Sequence, residues 1–555
     1  MRGSILFCIA AVFIFGCGKG SGSNPPPEPP APSSFSFNAL KVNDQFNGFV
    51  YYNVNAKPII KLSFGGPLNK SMTPLAISFK DDKANSIAYN TTFENNDSTI
   101  VIQPVSNLTY LAKHSITVSK ELTSVAGGKL LTAVDVQFTT QIDSTAKFPL
   151  VTDEELLTTI QKQTFKYFWD FAHPTSGLAR ERNTSGDLVT SGGSGFGIMA
   201  IVTGSERGFV TKAQALTRML TIVSFLKNTA QKFHGAFPHW LHGGTGVVMP
   251  FSTKDNGADL VETSYLVAGL LCARQYFNGA STEETTLRSD INTIVNGVEW
   301  SWFRKSNENV LYWHWSPNYN WDMNLPIRGW NECLITYVLA ASSTTFSIPK
   351  NVYDEGWARS GGMKNGTAYY GINLPLGPAY GGPLFFSHYS FLGINPNGLS
   401  DQYADYKTQV VNHSKINYEY CKANPKSYYG YSNLVWGLTA SDIQGGYTAS
   451  SPTNDVGVIA PTAALSSMPF TPTESMNALK FFYYQLGDKL WKQYGFVDAF
   501  KLHDLWFADS FLAIDQGPII VMIENYRSQL IWNLFTSCQE IKNGMKSLGF
   551  TAPYL

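Results

Sequence analysis

An excess of charge of either sign is the first thing this sequence lacks. Lys and Arg number 41 and Asp and Glu also 41, so the formal net charge is zero, and no Lys/Arg-rich stripe runs along any segment. Without a basic excess there is no electrostatic footprint for nucleic acid, and no nucleic-acid partner is expected. Charged residues make up only 15% against 44% hydrophobic, which excludes a disordered chain and requires large buried cores. Cysteine is scarce as well. Past the first segment only Cys272, Cys333, Cys421 and Cys538 remain, far apart and with no CxxC pair. That excludes a zinc ribbon or a disulfide scaffold, and buried free thiols are expected. Gly192-Gly193-Ser194-Gly195-Phe196-Gly197 lacks both the G-x-S-x-G of a nucleophile elbow and the Gly-Lys-Ser/Thr of a phosphate loop. It reads as a tight turn where backbone passes close to another element or a ligand. His234, His239 and His242 crowd into HGAFPHWLHGG, but no carboxylate follows at a zinc-helix spacing. No metal and no cofactor are expected, and these loop histidines, His239 in particular, are expected to touch substrate.

What is present begins with a targeting segment. Arg2 is followed by an apolar run, Ile5 to Phe15, too short to span a bilayer comfortably. The run ends Ile14-Phe15-Gly16-Cys17, which resembles a bacterial lipobox and implies cleavage before Cys17 and lipidation of its thiol. The chain is therefore expected to be an outer-membrane lipoprotein. Gly18-Lys19-Gly20 lacks an acidic run of the kind expected for export to the outer face, so the periplasmic side is favoured. Residues 18–34, GKGSGSNPPPEPPAPSS, form a flexible and then stiffer tether.

From residue 35 to 143 the pattern is β. Ile60–Phe64, Leu75–Phe79, Thr99–Ile102, Tyr110–Val118 and Val134–Phe138 alternate wholly or in part, separated by Gly65-Gly66-Pro67, Asn95-Asn96-Asp97 and Gly127-Gly128. Short strands at this spacing predict a sandwich. Residues 144–555 are helical in period. Thr152-Asp153-Glu154-Glu155 is a capping box opening a helix from Leu156, and helical stretches recur to the end between long Gly/Pro/aromatic loops. About a dozen helices with elaborated loops fit an all-α (α/α)6 barrel, although periodicity alone does not fix that topology. A monomer is expected.

Three acidic segments carry chemistry. Asp255, Asp259 and Glu262 are spaced i, i+4, i+7, and lie along one face if the helix begins near Asp255. The apolar residues that follow make acids there expensive unless they point into a polar cleft. The second segment, Asn320 to Glu332, combines Trp321, Arg328, Trp330, Asn331 and Glu332 at a loop-to-helix entry. Aromatic faces stack on sugar rings, while Arg and Asn reach hydroxyls. The third, Phe496 to Arg527, holds Trp506 and Asp515-Gln516-Gly517-Pro518, with Asp515 where a helix should begin. Glycoside hydrolysis needs two carboxyl groups, and these segments supply more than enough.

Together the stretches FKYFWDFAHPTSGLARERN, SGGSGFGIMAIVTGSERG, DNGADLVETSYLVAGLL, WDMNLPIRGWNE, FFSHYSFLG and AFKLHDLWFADSFLAIDQGPIIVMIENYRS resemble the bacterial glucoamylase-like domain family. That family includes endo-β-1,2-glucanases and sophorose-releasing β-1,2-glucan hydrolases. The first module similarly resembles bacterial Ig-like domains in LSFGGPLN, IVIQPVSNLTYLAKHSITV and VQFTT. The resemblance implies an inverting hydrolase on an (α/α)6 barrel, acting on a β-1,2-glucan or oligosaccharide without metal. Carried over by position, its important acids are Asp255, Asp259, Glu262 and Glu332, with Asp515 in a late aspartate motif. Glu332 is the expected proton donor, and one of Asp259, Glu262 or Asp515 the base. Trp321, Trp330 and Trp506 are expected sugar platforms, with Arg328, Asn331 and Gln516 as hydroxyl ligands. A non-catalytic glycan-binding lipoprotein, or a polysaccharide lyase on the same toroid, is the alternative.

Overall fold

Alternating burial along short strands builds the first unit. The computed structural model describes residues 35–555, so the signal segment, the Cys17 lipidation site and the 18–34 tether lie outside the described residues. The chain divides into two units, with the second beginning at Gln141.

In the first unit β1 (Phe37–Val42), β3 (Ile60–Phe64), β6 (Thr99–Pro104) and β5 (Tyr89–Glu94) form one sheet in that order. The second sheet runs β2 (Val50–Val54), β8 (Val134–Thr140), β7 (Lys113–Val118) and β4 (Ile77–Asp81), with β2 and β8 parallel. Inward residues such as Ile60, Leu62, Ile100, Ile116 and Val136 are wholly buried between the sheets. The alternation read from Leu75 does not hold. Thr73–Ala76 is a short helix (α1) with Leu75 exposed, and the strand begins at Ile77.

The second unit alternates two kinds of helix. Outer helices bury one stripe: α2 (Asp153–Trp169), α4 (Lys212–Asn228), α6 (Thr282–Asn296), α8 (Tyr406–Ala423) and α10 (Pro472–Lys480). The expected capping box opens α2, where Thr152 and Glu155 satisfy each other's backbone N–H groups. Between them come helices buried nearly all round, which is what an inner ring requires. These are α3 (Ser191–Glu206), α5 (Leu260–Tyr276), α7 (Leu334–Ser342), α9 (Pro461–Ser466) and α12 (Ala513–Ser528). A π-helical segment, Val352–Trp357, and a 3-10 turn, Ser390–Leu392, fill the remaining outer and inner places. The short α11 (Gly487–Leu490) and the terminal α13 (Leu530–Ser537) and α14 (Gln539–Leu548) complete the unit, which has the all-α (α/α)6 layout.

The glycine-rich stretch is not a turn. It is the first two turns of α3, and its glycines let that helix meet α5 backbone to backbone. A Cβ on Gly195 would lie 2.1 Å from the Tyr265 carbonyl oxygen, and one on Gly269 2.3 Å from that of Gly195. The four body cysteines are free and buried.

Candidate active site

Residues at the starts of inner helices, and on the loops before them, converge at one end of the ring. Helix α5 begins at Leu260, not at Asp255, so the three acids do not share a helix face. Asp259 is the N-cap. Its Oδ1 accepts from the Val261 and Glu262 amides at 3.0 and 2.9 Å. Asp255 lies in the preceding loop and Glu262 in the first turn, and the chain reversal brings all three together. A two-residue pairing of β12 (Ala258–Asp259) with β13 (His314–Trp315) adds His314. Three further strands of the helical unit, β9 (Leu188–Thr190), β10 (Trp240–His242) and β11 (Val248–Met249), pair into a small sheet beside it.

The electrostatics are those of several acids sharing few cations. His239 Nδ1 lies 3.1 Å from Asp259 Oδ2. Burial opposes a charge on this imidazole, but Glu262, Asp259 and Asp255 outweigh it and raise its pKa to about 9. Asp259, although burial works against its charge, is held below the usual range by His239, His314 and backbone N–H groups. Burial and then the Asp259 charge push Asp255 up. Glu262 is raised chiefly by burial, while accepting from Gly192 N at 2.8 Å and Thr190 Oγ1 at 3.1 Å. His314 Nε2 stands 3.4 Å from Asp255 and 3.6 Å from Asp259, and burial lowers its pKa. His239, Asp255 and Asp259 each offer a ligand atom within 4.8 Å of the others, a spacing that could hold a cation. His239 would first have to give up the proton that these acids stabilise.

Glu332 precedes α7 by two residues. Its backbone oxygen is anchored by the Tyr265 hydroxyl at 3.3 Å and by a short bond from Ser390 Oγ. Its surroundings, first through burial and then through Glu262 and Asp259, raise its carboxyl to about 7, so it holds a proton near neutrality.

A second acidic group centres on α12. Asp515, in its first turn, is buried beside Asp498, and each carboxyl has one buried oxygen, Asp515 Oδ2 and Asp498 Oδ1, with no N–H donor among the described residues. Asp498 Oδ2 accepts from the Asp442 amide at 2.7 Å. Asp442 in turn takes both oxygens' bonds from Arg182 Nη1 at 3.2 Å and one from Ser510 at 2.5 Å. Tyr389 links the two groups, feeling the charges of Asp515, Glu332 and Glu262. Trp506 is half-buried and lines a cavity of about 670 Å³ with Arg182, Asp442 and Tyr447.

Several expected sugar contacts lie elsewhere. Trp330 is 4% exposed and packs against Phe391 and Tyr406, so it is a core residue and no platform. Gln516 is 1% exposed, and its Nε2 donates to the Phe496 carbonyl at 2.9 Å, which removes it as a hydroxyl ligand. Asn331 uses its Oδ1 to accept from Cys333 N, at the start of α7. Trp321 packs at a tilt against Trp302, which stacks on His234, and Arg328 is exposed. His234 pairs with Glu299 and His242 accepts from Gly244 N, so of the three loop histidines only His239 joins the acids. Sequence reasoning missed His314, Asp442, Asp498, Arg182 and the tyrosines. Asp498 did carry a signal, as a lone acid inside the apolar run GFVDAF.

Residues 324–539 match the family described as "Putative glucoamylase", and residues 50–140 the bacterial Ig-like domain. The solved endo-β-1,2-glucanase of Chitinophaga pinensis is 52% identical, with a TM-score of 0.72, over 73% of this chain and 100% of that one. This chain belongs to the glucoamylase-like family. Within the family, the solved β-1,2-glucanase of Parabacteroides distasonis is 37% identical with a TM-score of 0.70, over 93% of this chain and 74% of that one. The exo-β-1,2-glucooligosaccharide sophorohydrolase (non-reducing end) of the same organism is 45% identical over 445 residues. That match covers 75% of this chain and 61% of the relative, so this glucoamylase-like chain spans about three-fifths of that protein's length.

Proposed function

We propose that this protein hydrolyses β-1,2-glucan or its oligosaccharides with inversion, with Glu332 as proton donor. The observation that carries the reading is a buried cluster in which Glu332, raised by burial and by Glu262 and Asp259, can hold a proton while Asp259, bonded to His239 and two backbone amides, stays ionised. Glu332 gives its proton to the leaving glycosidic oxygen while a second carboxylate activates water on the opposite face of the sugar. Asp259 and Glu262 are occupied by amide donors and suit orientation of substrate and of His239. Asp515, with an oxygen free of N–H donors, is the base. Trp506 and Arg182 supply a stacking face and a hydroxyl donor at the adjoining cavity.

The protein is further read as a monomer, held by Cys17 on the periplasmic side of the outer membrane. Labelling with a tagged fatty acid that Cys17→Ala abolishes supports the anchor.

The deciding test incubates the soluble body, from residue 35, with linear β-1,2-glucan and separates the products by size. Sophorose alone means release from a chain end, and a ladder of oligosaccharides means internal cleavage. No product from this glucan overturns the reading. Retained binding would then favour a glycan-carrying lipoprotein, and unsaturated products from a uronic-acid polymer a lyase.

A further inference from the structure

Two buried carboxyls that face each other with no cation between them cannot both be ionised at low cost. Asp498 and Asp515 are in this position. Asp498 is 1% exposed and Asp515 2%. Their side chains lie within hydrogen-bond reach of one another. Among the described residues no N–H or O–H group donates to Asp498 Oδ1 or to Asp515 Oδ2, both of them buried. One proton held between the two carboxyls supplies an O–H···O bond that neither receives from an amide. Arg182, the cation whose charge Asp498 feels, is taken up by Asp442 and Glu181.

We infer that Asp498 and Asp515 share a single proton, and that Asp498 is the positioning residue that makes Asp515 an effective base. This deepens the hydrolase reading and rests on it for its catalytic part. Burial and then the Asp498 charge raise Asp515, and burial raises Asp498, in agreement with a shared proton. The pair carries one negative charge at rest. In the reaction, the attacking water's oxygen bonds to the anomeric carbon and its proton passes to the pair, which then holds two. The glycosidic C–O bond breaks, and its electrons and the Glu332 proton go to the leaving oxygen. Solvent afterwards returns the pair's extra proton to Glu332. The groups that face the pair and set its affinity are Asp442, Arg182, Glu181, Tyr447 and Tyr389.

The mainstay of Asp498 is the Asp442 amide, and an asparagine there keeps that bond through its own carbonyl oxygen. Asp498→Asn should therefore fold. Lacking the second carboxyl, Asp515 ionises more readily and becomes a weaker base. The expected result is kcat down roughly a hundredfold with KM within about twofold, and the acidic limb of the kcat/KM profile moved down by about one pH unit or more. A second measurement needs no substrate. Infrared difference spectra at neutral pH should show, beside the band that Glu332→Gln removes, a protonated-carboxyl band in the wild type that both Asp498→Asn and Asp515→Asn remove. An Asp498→Asn enzyme with an unmoved acidic limb and an unchanged band overturns the inference. If the wild type leaves β-1,2-glucan untouched, the hydrolase reading fails, while the infrared comparison still decides whether the proton is shared.

Discussion

Gly192 gives its amide to Glu262 Oε2 at 2.8 Å, and a Cβ on the same glycine would stand 2.5 Å from that oxygen. The N-terminus of an inner helix thus holds a buried carboxylate by an N–H that only glycine lets come so near. Gly192→Ala should push Glu262 aside while leaving most of α3 intact. A displacement of about 1 Å is worth roughly a hundredfold in rate. Steady-state kinetics should show that loss, and an unaffected rate would mean that Glu262 has no part in turnover.

Glu332→Gln should lower kcat by roughly 10²–10⁴ with secondary structure unchanged. The wild-type rate should fall on the alkaline side as Glu332 ionises near its raised value of about 7. Stability moves in the same direction. The folded carboxyl binds its proton more tightly than the unfolded one, so its contribution is complete below 4.5 and is lost as pH rises through about 7. Urea unfolding at acid and alkaline pH should therefore show a smaller decline in Glu332→Gln than in the wild type.

Glu524 is wholly buried and takes two bonds from Arg207, at 2.7 and 2.8 Å, with further donors in Gln161 and Ser528. Arg207→Met leaves that carboxylate without its cation. A loss of about 3–5 kcal/mol in urea unfolding is expected, since an unpaired buried charge remains. A change below about 1 kcal/mol would mean that Glu524 takes up a proton at little cost.

The two tryptophans should separate by their effects. Trp330→Ala opens a cavity in the core and should cost about 3–5 kcal/mol of stability. Trp506→Ala should raise KM for glucan with little effect on melting, because its ring borders an open cavity. Thermal melts and kinetics on both variants check the pair.

The helical period, the capping box at Thr152 and the layout of the first unit were legible because each depends on neighbours in sequence. So were the acids of the first site, since a carboxylate ahead of an apolar helix stands out. Their arrangement was not legible. Asp259 caps the helix, and Asp255 reaches the site only by a loop reversal that residue spacing does not encode. Trp330 and Gln516 looked like sugar contacts by residue type, and only long-range packing tells a platform from a core ring. Asp442 and Arg182 are 260 residues apart, and nothing local to either announces the other.

Helices α3 and α5 touch through Gly195 and Gly269 with no side chain between them. Their spacing is thus a gauge machined into the backbone, indifferent to which hydrophobic residues line the rest of the ring. Changes in the loops above the ring would leave the distance from Glu262 to its neighbours the same. A single methyl at either glycine would reset that gauge for the whole acidic cluster.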